Sequence, residues 1–301
     1  MPLRRTHPHV VLLVLFTGLI VQSAHARCVP PMETRASLER WKAAGFDMAD
    51  AAERNARALA LVDCLGEPDP LLRDGIAFEA LSAWMRADRL DVDTLRALES
   101  KLLVQLDGED DAGFRKPFAA LVLSEVARTD RIKPWMASGQ RAALAEAAAA
   151  YLHSMRDYRG YVDGEGWRHG IAHAADLAMQ LALNRALQPQ QAMTLLEAIG
   201  KQSMPANDQA YAFGEPSRLA RAAAYLIARG DLDPPGITAW LGGLAIVLGT
   251  RPQTDPQAAW WTRRTNLEHF LHALATTAGG SKNPALSSLA TDIRKTLASL
   301  P

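Results

Sequence analysis

The chain has 301 residues, 49% of them hydrophobic, and its 33 basic residues are balanced by 33 acidic ones. A nucleic-acid partner normally demands a basic patch, and this balance argues against one. The length suits one large domain or a compact helical array.

The first residues read as a leader. Arg4 and Arg5 precede an almost wholly apolar run from Val10 to Val21, and Ala24-His25-Ala26 supplies a small-x-small cleavage pattern. Residues 1–26 are therefore expected to be a secretory signal peptide. The apolar run is about a dozen residues, short of the roughly 20 that a spanning helix needs. A lipoprotein reading at Cys28 fits poorly, because Arg27 stands where a small residue is expected. The mature chain is expected to cover 27–301 as a single domain, exported, and periplasmic if the source is Gram-negative. No integral membrane span is expected in it, since no later apolar run approaches the required length. Cys28 and Cys64 are the only cysteines. In an oxidising compartment they are expected to bridge, closing a loop of about 37 residues worth roughly 3–4 kcal/mol; the alternative is two free thiols. A structural zinc site needs more cysteines than these.

Strand signals are weak, whereas apolar residues recur at three- and four-residue spacing with Gly/Pro punctuation roughly every 15–25 residues. The pattern predicts helices over Glu33–Ala44 and Met48–Cys64, with Asp47 as N-cap of the second. Pro70–Ala87 follows, then Val92–Leu106 capped by Asp91, and an acidic loop at Gly108–Asp111. Phe114–Thr129 and the alanine-rich Ser138–Met155 come next, the latter rich in the best helix former. A glycine-rich loop leads into Trp167–Ala186. Pro189–Gly200, a polar connection at Lys201–Phe213, Pro216–Arg229, Pro235–Leu248, Gln257–Thr277 and Pro284–Leu300 complete the chain. The fold expected is all-α, built of stacked antiparallel helical hairpins as a HEAT-like α/α superhelix.

Special residue types gather at Asp157–Leu183, DYRGYVDGEGWRHGIAHAADLAMQLAL. On an ideal helix from Trp167, the side chains of His169, His173, Asp176 and Gln180 fall within an arc of about 60°. Trp167 and Ile171 fall opposite. Such a stripe differs from a solvated Lys/Glu/Arg face, because imidazoles bind metals and move protons near neutral pH. His169, His173 and Asp176 make a candidate two-His-one-carboxylate set for a divalent metal. Asp163 or Glu165 is then the candidate general base. The plainer reading is a structural network in which the histidines bond across to neighbouring helices. The HExxH pattern is absent, since Gly170 follows His169. The glycines fit neither a P-loop nor a dinucleotide fingerprint, and Arg159 is expected to pair with Asp157 or Asp163. Glu215 and Arg218 open a later helix and either face the stripe or pair with each other. Trp260-Trp261 reads as packing, and His269 and His272 as solvated or inter-helix residues. No GxSxG nucleophile motif occurs.

RGYVDGEGWRHGIAHAADL resembles the signature of the DUF2785 family, bacterial proteins without an established function. FRKPFAALVLSEVARTD (Phe114–Asp130) and YAFGEPSRLARA (Tyr211–Ala222) resemble that family's flanking blocks. The family more typically has a second acidic residue after the Gly-Glu pair, where this chain has Pro216. The resemblance spans most of the mature chain. It implies an all-α, HEAT-like fold and no particular reaction.

Two functional readings follow. In one, His169, His173 and Asp176 hold a divalent metal for hydrolysis, with Asp163 or Glu165 as base. In the other, a non-catalytic helical scaffold binds a peptide, glycan or protein partner of the cell envelope. Arg159, Trp167, Gln180, Glu215 and Arg218 then serve as contact or framework residues.

Overall fold

The computed structural model describes residues 28–30, 32–205 and 208–301; the leader expected over 1–26 lies outside them. The fold is all-α, as the periodicity predicts. Its helices are α1 (Arg35–Ala43), α2 (Ala51–Leu61), α3 (Glu79–Arg86), α4 (Val92–Asp107), α5 (Arg115–Ile132), α6 (Ser138–Ser154), α7 (Gly170–Ala182), α8 (Pro189–Gln202), α9 (Glu215–Ala228), α10 (Pro234–Leu248), α11 (Ala258–Gly279), α12 (Pro284–Ser287) and α13 (Ala290–Ala298). A short hairpin of β1 (Tyr161–Val162) and β2 (Gly166–Trp167) interrupts the series between α6 and α7.

The helices sort into two rows. In one, α3, α5, α7, α9, α11 and α13 pack side by side in that order; in the other, α2, α4, α6, α8 and α10 do the same. The pairs α4–α5, α6–α7, α8–α9 and α10–α11 join the rows. Short connections make sequence neighbours into space neighbours, so each helix buries its apolar stripe against the next. One continuous apolar core runs from Cys28 to Leu300. Helix α7 lies between α5 and α9, and its alanines, Ala172, Ala174, Ala175, Ala178 and Ala182, are buried. Small side chains let helix axes approach closely, so α7 is enclosed on both flanks.

Local chemistry fixes the helix ends. Asp50, Asp91 and Asp233 each accept a backbone N–H three residues on, satisfying donors that a helix start leaves open. The second helix therefore begins at Ala51 under Asp50, not under Asp47 as its sequence suggested. The segment expected as one helix from Pro70 starts with a π-helical stretch, Leu71–Phe78, before α3. The C-terminal segment is likewise broken into α12 and α13, with Asn283 capping the first.

Asp130, buried near the end of α5, ties three elements together. It accepts from Trp135 N (2.9 Å) and Met136 N (2.7 Å), from Arg141 Nε on α6 (2.8 Å), and from Asn184 Nδ2 after α7 (2.7 Å). Burial pushes its carboxyl up, but these donors outweigh burial and hold it below the ordinary carboxylate range. A disulfide joins Cys28 to Cys64, with the Cα atoms 5.0 Å apart, so the expected bridge is present. Among the described residues, no helix is long and apolar enough to cross a membrane.

Candidate functional site

The hairpin and the start of α7 form the centre of the site. β1 and β2 pair antiparallel, with Tyr161 opposite Trp167 and Val162 opposite Gly166. The turn runs through Asp163, Gly164 and Glu165, and Gly164 (φ 80°) and Gly166 (φ 82°) are left-handed. Glycine takes that conformation without steric cost, so these glycines serve a hairpin turn. The ladder continues as Arg168 N donates to Gly160 O and His169 N to Arg159 O. Opposed residues of a pair project to one face, and the Tyr161 and Trp167 rings meet at 5.1 Å between centroids.

Two buried arginines hold the hairpin against the helices. Arg73, fully buried on the π-helical stretch, donates to Glu67 O, Pro68 O and Glu165 O. Its guanidinium lies 4.0 Å from the Phe114 ring centroid and 5.0 Å from that of Phe118. Arg168 lies over the same Phe114 ring at 4.1 Å, and donates to Ala112 O and to Glu165 Oε2. A desolvated guanidinium over an aromatic face gains about 2 kcal/mol. This clamp is the physical basis for a rigid hairpin, and the sequence reading missed both arginines. The Gly164-Glu165-Gly166 stretch, two glycines around one residue, was the available signal for the hairpin itself.

The polar stripe is a seam between helices. His169 adopts φ 55° and stands at the N-cap, so α7 starts at Gly170. The ideal helix from Trp167 therefore fails as a projection. Trp167 lies beside His169, ring centroids 4.8 Å apart, instead of on the opposite face. His173 is buried, with Nδ1 3.1 Å from Pro117 O on α5. A carbonyl only accepts, so Nδ1 carries the proton and Nε2 the lone pair. Asp176 accepts from Arg218 Nη1 at 2.8 and 3.0 Å and from Arg221 Nη2 at 3.3 Å, both on α9. Gln180 accepts from Arg131 Nε of α5 at 3.2 Å. Glu215 and Arg218 thus face the stripe and do not pair with each other. Arg159 grips Asp157 through Nε (2.8 Å) and Nη2 (2.5 Å), leaving Asp163 at the exposed turn.

His169 and His173 are neighbours, 5.8 Å between ring centroids. Asp176, however, is taken up by two arginines. Among the described residues, no group of three or more His, Cys, Asp or Glu side chains could hold a metal ion. Glu165, a candidate base, spends its carboxylate on Arg168.

Burial sets the protonation. It lowers His173 to about 3, helped by the neighbouring His169 and opposed by the Pro117 carbonyl. It lowers His169 to about 4, with Arg218 adding to the effect. It raises Glu215 despite backbone N–H donors, and raises Asp176 despite Arg218 and Arg221. His169 Nδ1 is buried without a hydrogen-bond partner among the described residues and lies 3.9 Å from Glu215 Oε1, too far for a bond. Both imidazoles are neutral at pH 7, and the second is enclosed.

What reaches solvent is aromatic. Tyr161, Trp167 and Phe213 are 45%, 40% and 42% exposed, and the Trp167 and Phe213 rings meet edge to face at 5.6 Å. Glu215 Oε2 accepts from Phe213 N at 2.8 Å, and Gly160 leaves the space into which the Phe213 ring fits. Arg218 and Arg221 lie on the adjoining helix α9, each partly exposed. Phe213 and Arg221 were not singled out from the sequence, because Phe213 lies 46 positions from Trp167 and only the fold brings them together; Tyr161 was passed over because its hairpin was not foreseen.

A family model described as "Protein of unknown function (DUF2785)" matches residues 102–276, more than half of the chain and the whole of this site except Arg73. No curated protein and no solved structure matches the chain.

Proposed function

We propose that this chain, which belongs to the DUF2785 family, is an exported, non-catalytic helical scaffold of HEAT-like form that binds a polypeptide partner through its Tyr161–Trp167–Phe213 face. One observation carries the reading. His173 is bonded to α5, Asp176 to two arginines of α9 and Glu165 to Arg168, while three touching aromatics beside two arginines reach solvent. Tyr, Trp and Arg dominate the energetics of protein interfaces, and a platform clamped from beneath loses little entropy on binding. Export rests on the leader motif and on a disulfide, which persists in oxidising compartments.

The test is photo-crosslinking in the native host, with a benzophenone-bearing residue at Tyr161. A discrete protein adduct is expected, absent when the same residue replaces Val104 on the exposed side of α4 and lost on Trp167→Ala. Equal adducts from both positions sink the reading, and a glycan captured in place of protein changes the partner class. Protein purified without an affinity tag is expected to carry no stoichiometric metal. Stoichiometric metal that disappears in a folded His173→Ala variant would restore metal-assisted hydrolysis.

A further inference from the structure

Away from the aromatic face, the outer row opens between α8 and α10. Helices α6 and α8 pack along their length, whereas α8 and α10 touch only lightly. The gap is an apolar groove of about 640 Å³ lined by Met193, Gly200 and Met204 on one side and Trp240, Gly243 and Val247 on the other. Small-molecule sites span roughly 300–1,000 Å³ and are mostly apolar with a few polar groups.

A tryptophan shapes the groove wall, and a lysine says what the groove takes. The indole Nε1 of Trp240 is buried with no hydrogen-bond partner among the described residues. It faces the backbone of α8 at Gly200, so the indole shapes the groove wall and is closed to a ligand. Trp240 is fixed by Phe270 (6.3 Å between centroids) and by Gly200, where a Cβ would fall 2.6 Å from Nε1. Next to Gly200 comes Lys201, also in the lining. Its Nζ bonds His153 Nε2 at 2.7 Å, and Arg156, bonded to the carbonyls of His153 and Met155, adds a second positive charge nearby. Among the described residues, neither cation makes an ion pair with a carboxylate, and burial, with Arg156 adding to it, lowers Lys201. Glu197, the one carboxylate of the lining, is exposed at the rim. A Cβ at Gly243 would meet nothing within 4 Å, so packing does not explain a mid-helix glycine that costs about 1 kcal/mol relative to alanine.

We propose that the α8–α10 groove binds a fatty acid, its hydrocarbon chain against Met193, Met204 and Val247 and its carboxylate accepting from Lys201. The inference is independent of the aromatic face.

Titration calorimetry with dodecanoate, and with the neutral dodecan-1-ol as comparator, tests it on the full chain. Dodecanoate is expected to bind saturably at one site. Gly243→Leu, which fills the groove from a position with free space, should weaken it at least about tenfold. Val247→Glu, at a 62% exposed position, tolerates the change in folding and should weaken dodecanoate similarly by setting a charge against the hydrocarbon chain. Lys201→Met should weaken dodecanoate about tenfold while leaving dodecanol unchanged. Unaltered thermal unfolding of the variants shows that the fold persists. Absence of saturable dodecanoate binding overturns the proposal, as does equal affinity in Gly243→Leu and Val247→Glu. Loss of dodecanol in parallel with dodecanoate on Lys201→Met overturns the carboxylate assignment. Co-sedimentation with anionic vesicles without dodecanoate binding assigns the groove to a membrane surface and overturns it too.

Discussion

His169 and His173 are neutral in the fold because burial disfavours the imidazolium, moving them from an ordinary 6.5 to about 4 and about 3. Between those values and 6.5 the unfolded chain binds protons that the folded chain refuses. Stability is therefore indifferent to these groups above about pH 6.5 and falls as pH drops below it, by up to roughly 1.4 kcal/mol per pH unit for each histidine. His169→Phe, measured by denaturant unfolding from pH 7 to 4, should flatten that slope by one histidine's share. Glu99 works in the opposite direction. Buried on α4 and repelled by Asp130, with Arg96 only partly compensating, it is raised to about 7. Its contribution is full below the ordinary 4.5 and lost as pH rises through about 7. Glu99→Gln should therefore stabilise the protein at pH 8 by an amount on the order of 3 kcal/mol and change it little at pH 4. At this scale the sequence was informative about residue types and poor about their surroundings. The pairing of Arg159 with an aspartate two positions away was legible, since neighbours in sequence cannot avoid each other. The engagement of Asp176 by Arg218 and Arg221 depends on how α7 lies against α9, and spacing alone does not determine that.

Helices were legible as elements, because a 3.6-residue period and capping aspartates are local signals. Their ends moved where a neighbour intervened. α7 loses its expected first turn to the hairpin, which takes Trp167 into a strand and leaves His169 left-handed. That single shift dismantles the one-face projection on which the metal set rested. Asp130 illustrates a signal that was present and unread. A carboxylate in the last turn of a helix opposes the macrodipole, and this one remains because it bonds to α6 and to the segment after α7. Asp130→Ala should cost about 3–5 kcal/mol, as expected when one partner of a buried pair is removed and Arg141 is left uncompensated. Chemical denaturation reads it directly. At the hairpin, Gly160→Ala drives a methyl into the Phe213 ring. It is expected to abolish the Tyr161 crosslink while lowering global stability by only about 1–3 kcal/mol, the usual cost of overpacking.

Across the whole molecule, the all-α class and the order of the helices followed from periodicity and short connections. Their sorting into two rows did not, since which helix touches which is a matter of tertiary packing. The bridge from Cys28 to Cys64 links the start of the described chain to the turn after α2, at 36 positions' separation. Cys64→Ser should lower stability by roughly 3–4 kcal/mol through the enlarged unfolded ensemble, and a reductant should have the same effect on thermal unfolding of the parent protein.

The bond from Arg73 to the carbonyl of Glu165 spans 92 positions. Loop-closure entropy must be met before so distant a contact is rewarded, so this one belongs to the late steps of folding. In pulse-labelling hydrogen exchange, the amides of Arg168 and His169 are expected to gain protection after those of α4, α5 and α6. Under the proposed binding role, maturation of the aromatic face is then a timer: a nascent or partly unfolded chain would not engage a partner prematurely, and recognition itself would certify that the N-terminal segment has docked.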